Sequence, residues 1–275
     1  MKSIDRMRPM PASVTRILNI LEGEEASAEE VGDLLGHDQA LAANVLQAAN
    51  SAYLGYGPSC TNLSDAVMRL GFGRIRTLVL GVAAAGSLSG SLKGYRMGSG
   101  ELWKHSISTA YVAQWLSKRN RSIPPEDAYV AGLLHDMGKL LLDQFALADY
   151  ARLFDLVQNY GLTFFQVEQK LFGINHAQVG SMMANKWNFP QPLVSAIEFH
   201  HSPTGKKDNI LASIVNVANA IAPADEETTK RLGKREINEK ALHSLKIEPD
   251  QIDSIKEELN QYFTMITNGS KNLRN

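Results

Sequence analysis

The sequence predicts an all-α protein, on three observations. Apolar residues recur at the 3.6-residue period almost everywhere along the chain. Polar caps, prolines and glycines interrupt that pattern at short intervals, as helix ends require. The one β-branched run, near Val79, has no comparable strand pattern nearby to pair with, and an isolated strand does not persist.

The elements follow in order. Val14, Ile17, Leu18 and Leu21 form a first stripe, and Ser27-Ala28-Glu29-Glu30 carries the S-x-x-E signature of a capping box ahead of Val31, Leu34 and Leu35. Asp38 can cap the next helix, where Leu41, Val45, Leu46 and Ala49 share a face, and Gly55-Tyr56-Gly57-Pro58 breaks it. Ser64 to Leu70 and Ile75 to Ala85 read as two helices. The Gly71-Phe72-Gly73 stretch between them reads as a turn, since a lone G-x-G beside Arg74 and Arg76 is a weak sign of a phosphate cradle. Gly86 to Gly100 is rich in glycine and serine and reads as a connector, which sets a boundary near residue 95.

Beyond it, helices are expected at Glu101 to Lys118, Pro125 to Leu142, Leu147 to Tyr160, Thr163 to Leu171, His176 to Trp187, Pro192 to His201 and Asn209 to Ala222. Pro125, Pro190 and Pro192 fall where helices start or stop. Pro223 to Lys240 is charged and polar, hence expected to be exposed, and a last helix runs through Ile252, Ile255, Leu259 and Phe263. The expected regions are therefore 1–95, 96–225 and 226–275.

With 275 residues, 44% of them hydrophobic and 21% charged, the chain can bury one large core or two closely packed subdomains. A formal charge of -1 argues against a broad nucleic-acid footprint. Cys60 is the single cysteine, which excludes an intrachain disulfide, fits a reducing cytoplasm and leaves histidines to supply any borderline-soft ligands. No apolar core follows Met1-Lys2-Ser3-Ile4-Asp5 and no apolar run is long enough to span a bilayer, so neither a signal peptide nor a membrane helix is expected.

The chemistry centres on Leu133-Leu134-His135-Asp136-Met137-Gly138-Lys139. Adjacent His135 and Asp136 can close on one cation, and Lys139 supplies an ammonium one turn on, placed to hold an anion against it. That layout suits phosphoryl chemistry. His105, His176, His200 and His201 bring to five of seven the histidines that can converge around Asp136. His37 and His243 stand alone and are assigned no role, and Glu101, four residues before His105, reads as a solvated carboxylate.

Several blocks together resemble a known family. Trp103-Lys104-His105-Ser106, Ala131 to Lys139, Asn175-His176-Ala177-Gln178-Val179-Gly180 and Ile197-Glu198-Phe199-His200-His201 are similar to the ordered motifs of the HD superfamily of metal-dependent phosphohydrolases. Met10 to Val14, His37 to Leu41 and Leu46 to Ala52 resemble the opening of its HDOD branch. The resemblance covers roughly residues 8 to 222. It implies a bacterial signal-transduction module with an N-terminal helical bundle (1–95) packed on an HD-like helical core (96–225), followed by a helical extension (226–275). It also implies metal ligands at His105, His135 and Asp136, ligands of a second ion at His176, His200 and His201, and Asp136 as the bridge. The family's last metal aspartate corresponds to Asn219 here, and the glycine-tyrosine-proline loop of cyclic-dinucleotide phosphodiesterase relatives is replaced by Ser202-Pro203-Thr204-Gly205-Lys206-Lys207.

A neutral amide binds a dication more weakly than a carboxylate, so five imidazoles with one carboxylate leave a two-metal site with excess positive charge that draws anions. Nitrogen-rich ligation favours iron, manganese, nickel or zinc. Two function classes follow. One is a regulatory HDOD protein that relays a signal to a protein partner, its metal site serving structure or sensing. The other is a phosphohydrolase, with Asp136 and Lys139 in catalytic roles, acting on a nucleotide or another phosphate-containing small molecule. Neither calls for nucleic-acid or membrane binding.

Overall fold

The computed structural model describes residues 12–23, 25–50, 60–121, 123–147, 149–187, 189–203, 209–223 and 235–271. These are helical throughout apart from turns and a single antiparallel bridge between Leu92 and Met97. The expectations placed on Met1 to Asp5, Met10-Pro11, Ser51-Ala52, Gly55 to Pro58, Thr204 to Lys207 and 224–234 lie outside the described residues.

Helices α1 (Ala12–Leu21), α2 (Ala28–Gly36) and α3 (Gln39–Ala49) pack on the long α4 (Leu63–Leu88). Ser27 accepts from Glu30 N at 3.1 Å to start α2, and Asp38 accepts from Leu41 N at 3.1 Å to start α3. The two helices expected from Ser64 and Ile75 are the halves of α4, bent at Gly71, where φ is 75°. The β-branched run near Val79 lies inside the second half, because tertiary packing overrides a weak strand preference.

Helix α4 also packs on α5 (Glu101–Asn120) and α6 (Pro125–Leu134), so one apolar core runs from Val14 to Leu259. The glycine- and serine-rich stretch read as a connector ends α4 through Leu88 and then forms a short docked hairpin. Its Tyr95 is fully buried, and Gly94 N donates to Asp143 Oδ1 at 2.6 Å. Glycine and serine content reports backbone freedom, not exposure.

The expected helix from Pro125 to Leu142 is two helices, α6 and α7 (Lys139–Ala146), separated by a tight turn at residues 135–138. Its i+3 hydrogen bonds run from Met137 N to Leu134 O and from Lys139 N to Asp136 O. Apolar periodicity continues through the turn, which is why the sequence hides it. Next come α8 (Tyr150–Tyr160), α9 (Phe164–Phe172), α10 (His176–Lys186), α11 (Gln191–Phe199) and α12 (Ile210–Ile221). Full capping boxes at Thr163 and Asn175 start α9 and α10. Helix α13 (Glu239–Leu245) is an addition to the expected set, and α14 (Gln251–Lys271) is the last. Of the Pro223 to Lys240 segment expected to be exposed, Arg235, Ile237 and Asn238 are half-buried.

Two glycines set the distances on which the centre depends. A Cβ at Gly132 would stand 2.8 Å from Ala110 Cα, so α5 and α6 touch backbone to backbone. A Cβ at Gly138 would collide with the His176 carbonyl and stand 2.6 Å from Gly180 N. The neighbours are main-chain atoms that cannot swing aside. Gly138→Ala is therefore expected to destabilise the fold by at least about 1–3 kcal/mol, whereas Gly90→Ala, where a Cβ meets nothing within 4 Å, should leave the unfolding midpoint unchanged. Thermal denaturation of the two variants checks this.

Candidate metal centre

Helix ends deliver most of the centre. His135 caps the C-terminus of α6, Asp136 follows it in the turn, His176 is the first residue of α10, His200 caps α11 and His201 follows it. His105 arrives from the second turn of α5. The side chains fall into two triads, His105 with His135 and Asp136, and His176 with His200 and His201, each with ligand atoms within 4.8 Å of one another.

Asp136 lies between the triads. Its Oδ2 is 3.3 Å from His135 Nε2 and 3.5 Å from His105 Nε2, while its Oδ1 is 3.2 Å from His176 Nε2 and 4.0 Å from His200 Nε2. His176 Nε2 and His201 Nε2 are 2.9 Å apart.

The ring orientations are fixed from behind. His135 Nδ1 donates to Gly132 O and His200 Nδ1 donates to Ile197 O, both at 2.7 Å. A carbonyl only accepts, so each ring carries its proton on Nδ1 and turns the Nε2 lone pair inward. His176 is held by a carboxylate instead: Glu168 Oε2 accepts from its ring Nδ1 at 2.6 Å and from its backbone N at 2.7 Å. Tyr95 OH donates to the other oxygen of Glu168 at 2.6 Å. Such outer partners orient ligating histidines in known metal sites.

The charge states of His105, His200, His201 and Asp136 suit ligation, and that of His176 opposes it. Burial pushes the His105 imidazole down to about 3 against the pull of Asp136. Burial and the neighbouring rings hold His200 and His201 well below the ordinary histidine range. For His176, burial opposes protonation, but the Glu168 and Asp136 carboxylates together raise the ring. Burial likewise opposes ionisation of Asp136, yet the attraction of His135 and Lys139 keeps it well below the carboxylate range.

The remaining sequence candidates fall as follows. Lys139 Nζ contacts Asp136 Oδ2 at 2.6 Å, so its nearest partner is the carboxylate itself. Asn219 lines the cavity beside the cluster together with His105. His37 and His243 are exposed and apart from it, and Glu101 is half-buried. Glu168, Tyr95 and Arg235 are the site residues that sequence reading missed. Glu168 had a signal, since it shares the stripe of Phe164, Val167 and Leu171 and is fully buried.

The residues fit a metal. His135 Nε2, His200 Nε2 and Asp136 Oδ1 are buried without a hydrogen-bond partner, a costly state for polar atoms that a shared cation relieves. Beside them opens a cavity of about 520 Å³ whose lining includes His105, Lys139, His176, His201, Phe165 and Arg235.

Residues 7–203 match the HDOD domain family, and the chain belongs to that family. The solved structure of a candidate phosphohydrolase from Shewanella amazonensis SB2B is similar, with 28% identity and a TM-score of 0.70 over 94% of this chain and 92% of that one. An HDOD domain protein with unknown function from Geobacter sulfurreducens is 26% identical, with a TM-score of 0.63 over 94% of each chain. An uncharacterized protein of Treponema pallidum (strain Nichols) is 26% identical over 200 residues, 72% of this chain and 38% of its own length. Ribonuclease Y of Lawsonia intracellularis (strain PHE/MN1-00) is 27% identical over 121 residues, 44% of this chain and 18% of its own length. This chain thus spans well under half of either curated relative. No helix among the described residues is long and apolar enough to cross a membrane.

Because Glu168 aims His176, Glu168→Ala is expected to lower metal affinity roughly 10–100-fold. His135→Ala and Asp136→Ala should lower it further, and His37→Ala and His243→Ala not at all. Metal titration of the apo-protein, read by calorimetry, checks the order. Affinity in Glu168→Ala equal to the parent's would remove Glu168 from the centre.

Proposed function

We propose that this HDOD-family chain is a regulatory protein of bacterial signal transduction whose histidine centre holds one or two transition-metal ions, drawn from iron, manganese, nickel and zinc, for sensing or structure. The supporting observation is that the two oxygens of one buried carboxylate, Asp136, face different histidine triads. Asn219 supplies an amide where the resemblance calls for a carboxylate, which weakens the centre as a catalyst. We assign contact with a signalling protein to the N-terminal helices, where Met68 and Phe72 stand exposed on either side of the Gly71 bend. A cytoplasmic setting belongs to the same reading, supported by the lone Cys60.

A second reading, a metal-dependent phosphohydrolase acting on a nucleotide or another phosphoester, is favoured by the cavity that opens onto the cluster. Bound metal would supply an acidified water there. Asp136 would bridge the ions, and Lys139 would lend it positive charge from the cavity side.

Elemental analysis of chelator-free protein is expected to find transition metal, and a phosphatase and nucleotide screen of that protein is expected to find no turnover. Metal-free protein that takes up none of the four ions would overturn the metal reading, and turnover abolished by Asp136→Ala would establish the hydrolase instead. Asn219→Asp should raise metal affinity, since it adds a charged oxygen ligand at the cavity wall. An unchanged titration curve would place residue 219 outside the ligand set.

A further inference from the structure

Arg235 lies beyond the segment that matches the family, yet it is half-buried and lines the cavity beside the metal centre. Its Nη1 donates to the carbonyl oxygens of Asn219 at 3.1 Å and Ala222 at 3.3 Å. These carbonyls belong to the C-terminal end of α12, where main-chain oxygens lack partners within the helix. One edge of the planar fork is thereby clamped to a helix terminus.

The other edge is uncommitted. Nη1 has used both its hydrogens, and the three on Nε and Nη2 meet no acceptor among the described residues. Arg235 also makes no ion pair among them. Asp136 is the carboxylate whose field reaches it, but Lys139 already neutralises Asp136 at 2.6 Å. Glu236 and Glu239 line the cavity from exposed positions, with Lys240 beside them. A guanidinium partly withdrawn from water calls for an anion, and its fork matches two oxygens of a phosphate.

Size narrows the ligand. A cavity of about 520 Å³ falls within the range of roughly 300–1,000 Å³ that holds drug-sized molecules. Phe165, whose ring centroid is 4.7 Å from that of His201, supplies an apolar wall. We propose that Arg235 binds the phosphate of a small organic phosphoester of nucleotide size and holds it against the histidine centre, with Lys139 as the second cation. The proposal rests on the metal-centre reading above and names its ligand class and the residue that selects it.

The competing role for Arg235 is purely structural, as a cap on α12, and the test separates the two. Full-length protein of measured metal content is titrated calorimetrically with inorganic phosphate and with adenosine monophosphate. Arg235→Gln should weaken both by roughly tenfold or more, the loss expected when a charged hydrogen bond is removed, with metal per chain unchanged. Arg235→Lys should fall between. A second measurement uses only the native protein: phenylglyoxal should modify Arg235 several-fold more slowly in saturating inorganic phosphate, while exposed Arg96 and Arg121 react at the same rate, read by peptide mass spectrometry. Undiminished affinity in Arg235→Gln, no binding of either probe by the native protein, or no protection of Arg235 by phosphate would overturn the proposal. Protection of Arg235 in a chain that carries no metal would sink the metal reading alone and leave the anion site standing.

Discussion

Burial of one carboxylate, Asp136, governs the rest of the centre. Charge is withdrawn from water only at large cost unless compensated, and here compensation comes from Lys139 in direct contact and from imidazoles on both sides. Removing that carboxylate would leave the Lys139 ammonium half-buried without its partner and the two triads without the group between them. Four of the five histidine positions can therefore be read as an answer to one requirement, that a ring nitrogen reach one of the two oxygens of Asp136, while His201 joins the centre through His176.

Helix termini meet that requirement with little added machinery. A helix ends with unpaired carbonyls, and a C-cap histidine that folds back onto one of them, as His135 and His200 do, gains a hydrogen bond and a defined tautomer together. At the opposite kind of terminus, the unpaired backbone N–H of His176 and its ring N–H are both taken by Glu168. Close backbone approach at Gly132 and Gly138 brings these termini near enough to meet. The geometry of the histidine cluster and the helix packing are thus a single constraint, and a side chain added at either glycine disturbs both.

How far the sequence discloses this depends on where each residue's signal lies. The candidate histidines and Asp136 are conspicuous because polar, titratable side chains stand out at the ends of apolar runs, and the helical class follows from periodicity alone. The split at residues 135–138 is invisible, because a tightened turn keeps the apolar spacing intact. Tyr95 is masked by its glycine- and serine-rich surroundings, although the hairpin that carries it is docked against Glu168. Arg235 is masked by a charged neighbourhood, since nothing local distinguishes a solvated arginine from one that folds back onto a helix terminus. Glu168 alone among the missed residues leaves a trace, a carboxylate on a helix face otherwise made of Phe164, Val167 and Leu171.

Charge accounting links the centre to the kind of work it can do. Two dications among neutral imidazoles would be offset by Asp136 and, through His176, by Glu168, while Lys139 and Arg235 add positive charge at the cavity wall. Asn219 contributes none of the negative charge that an aspartate there would bring. A site with this surplus attracts a phosphate whether it belongs to substrate or to product. Binding both equally lowers the concentration needed for occupancy without lowering the barrier between them, because only interactions stronger in the transition state accelerate a reaction. Under the proposed reading these electrostatics favour holding an anion over converting it, and hydrogen bonds run from His176 through Glu168 to Tyr95 on the hairpin between α4 and α5. The regulatory reading proposed above draws on that continuity, since the hairpin that helps line the cavity is also hydrogen-bonded to the side chain that orients His176.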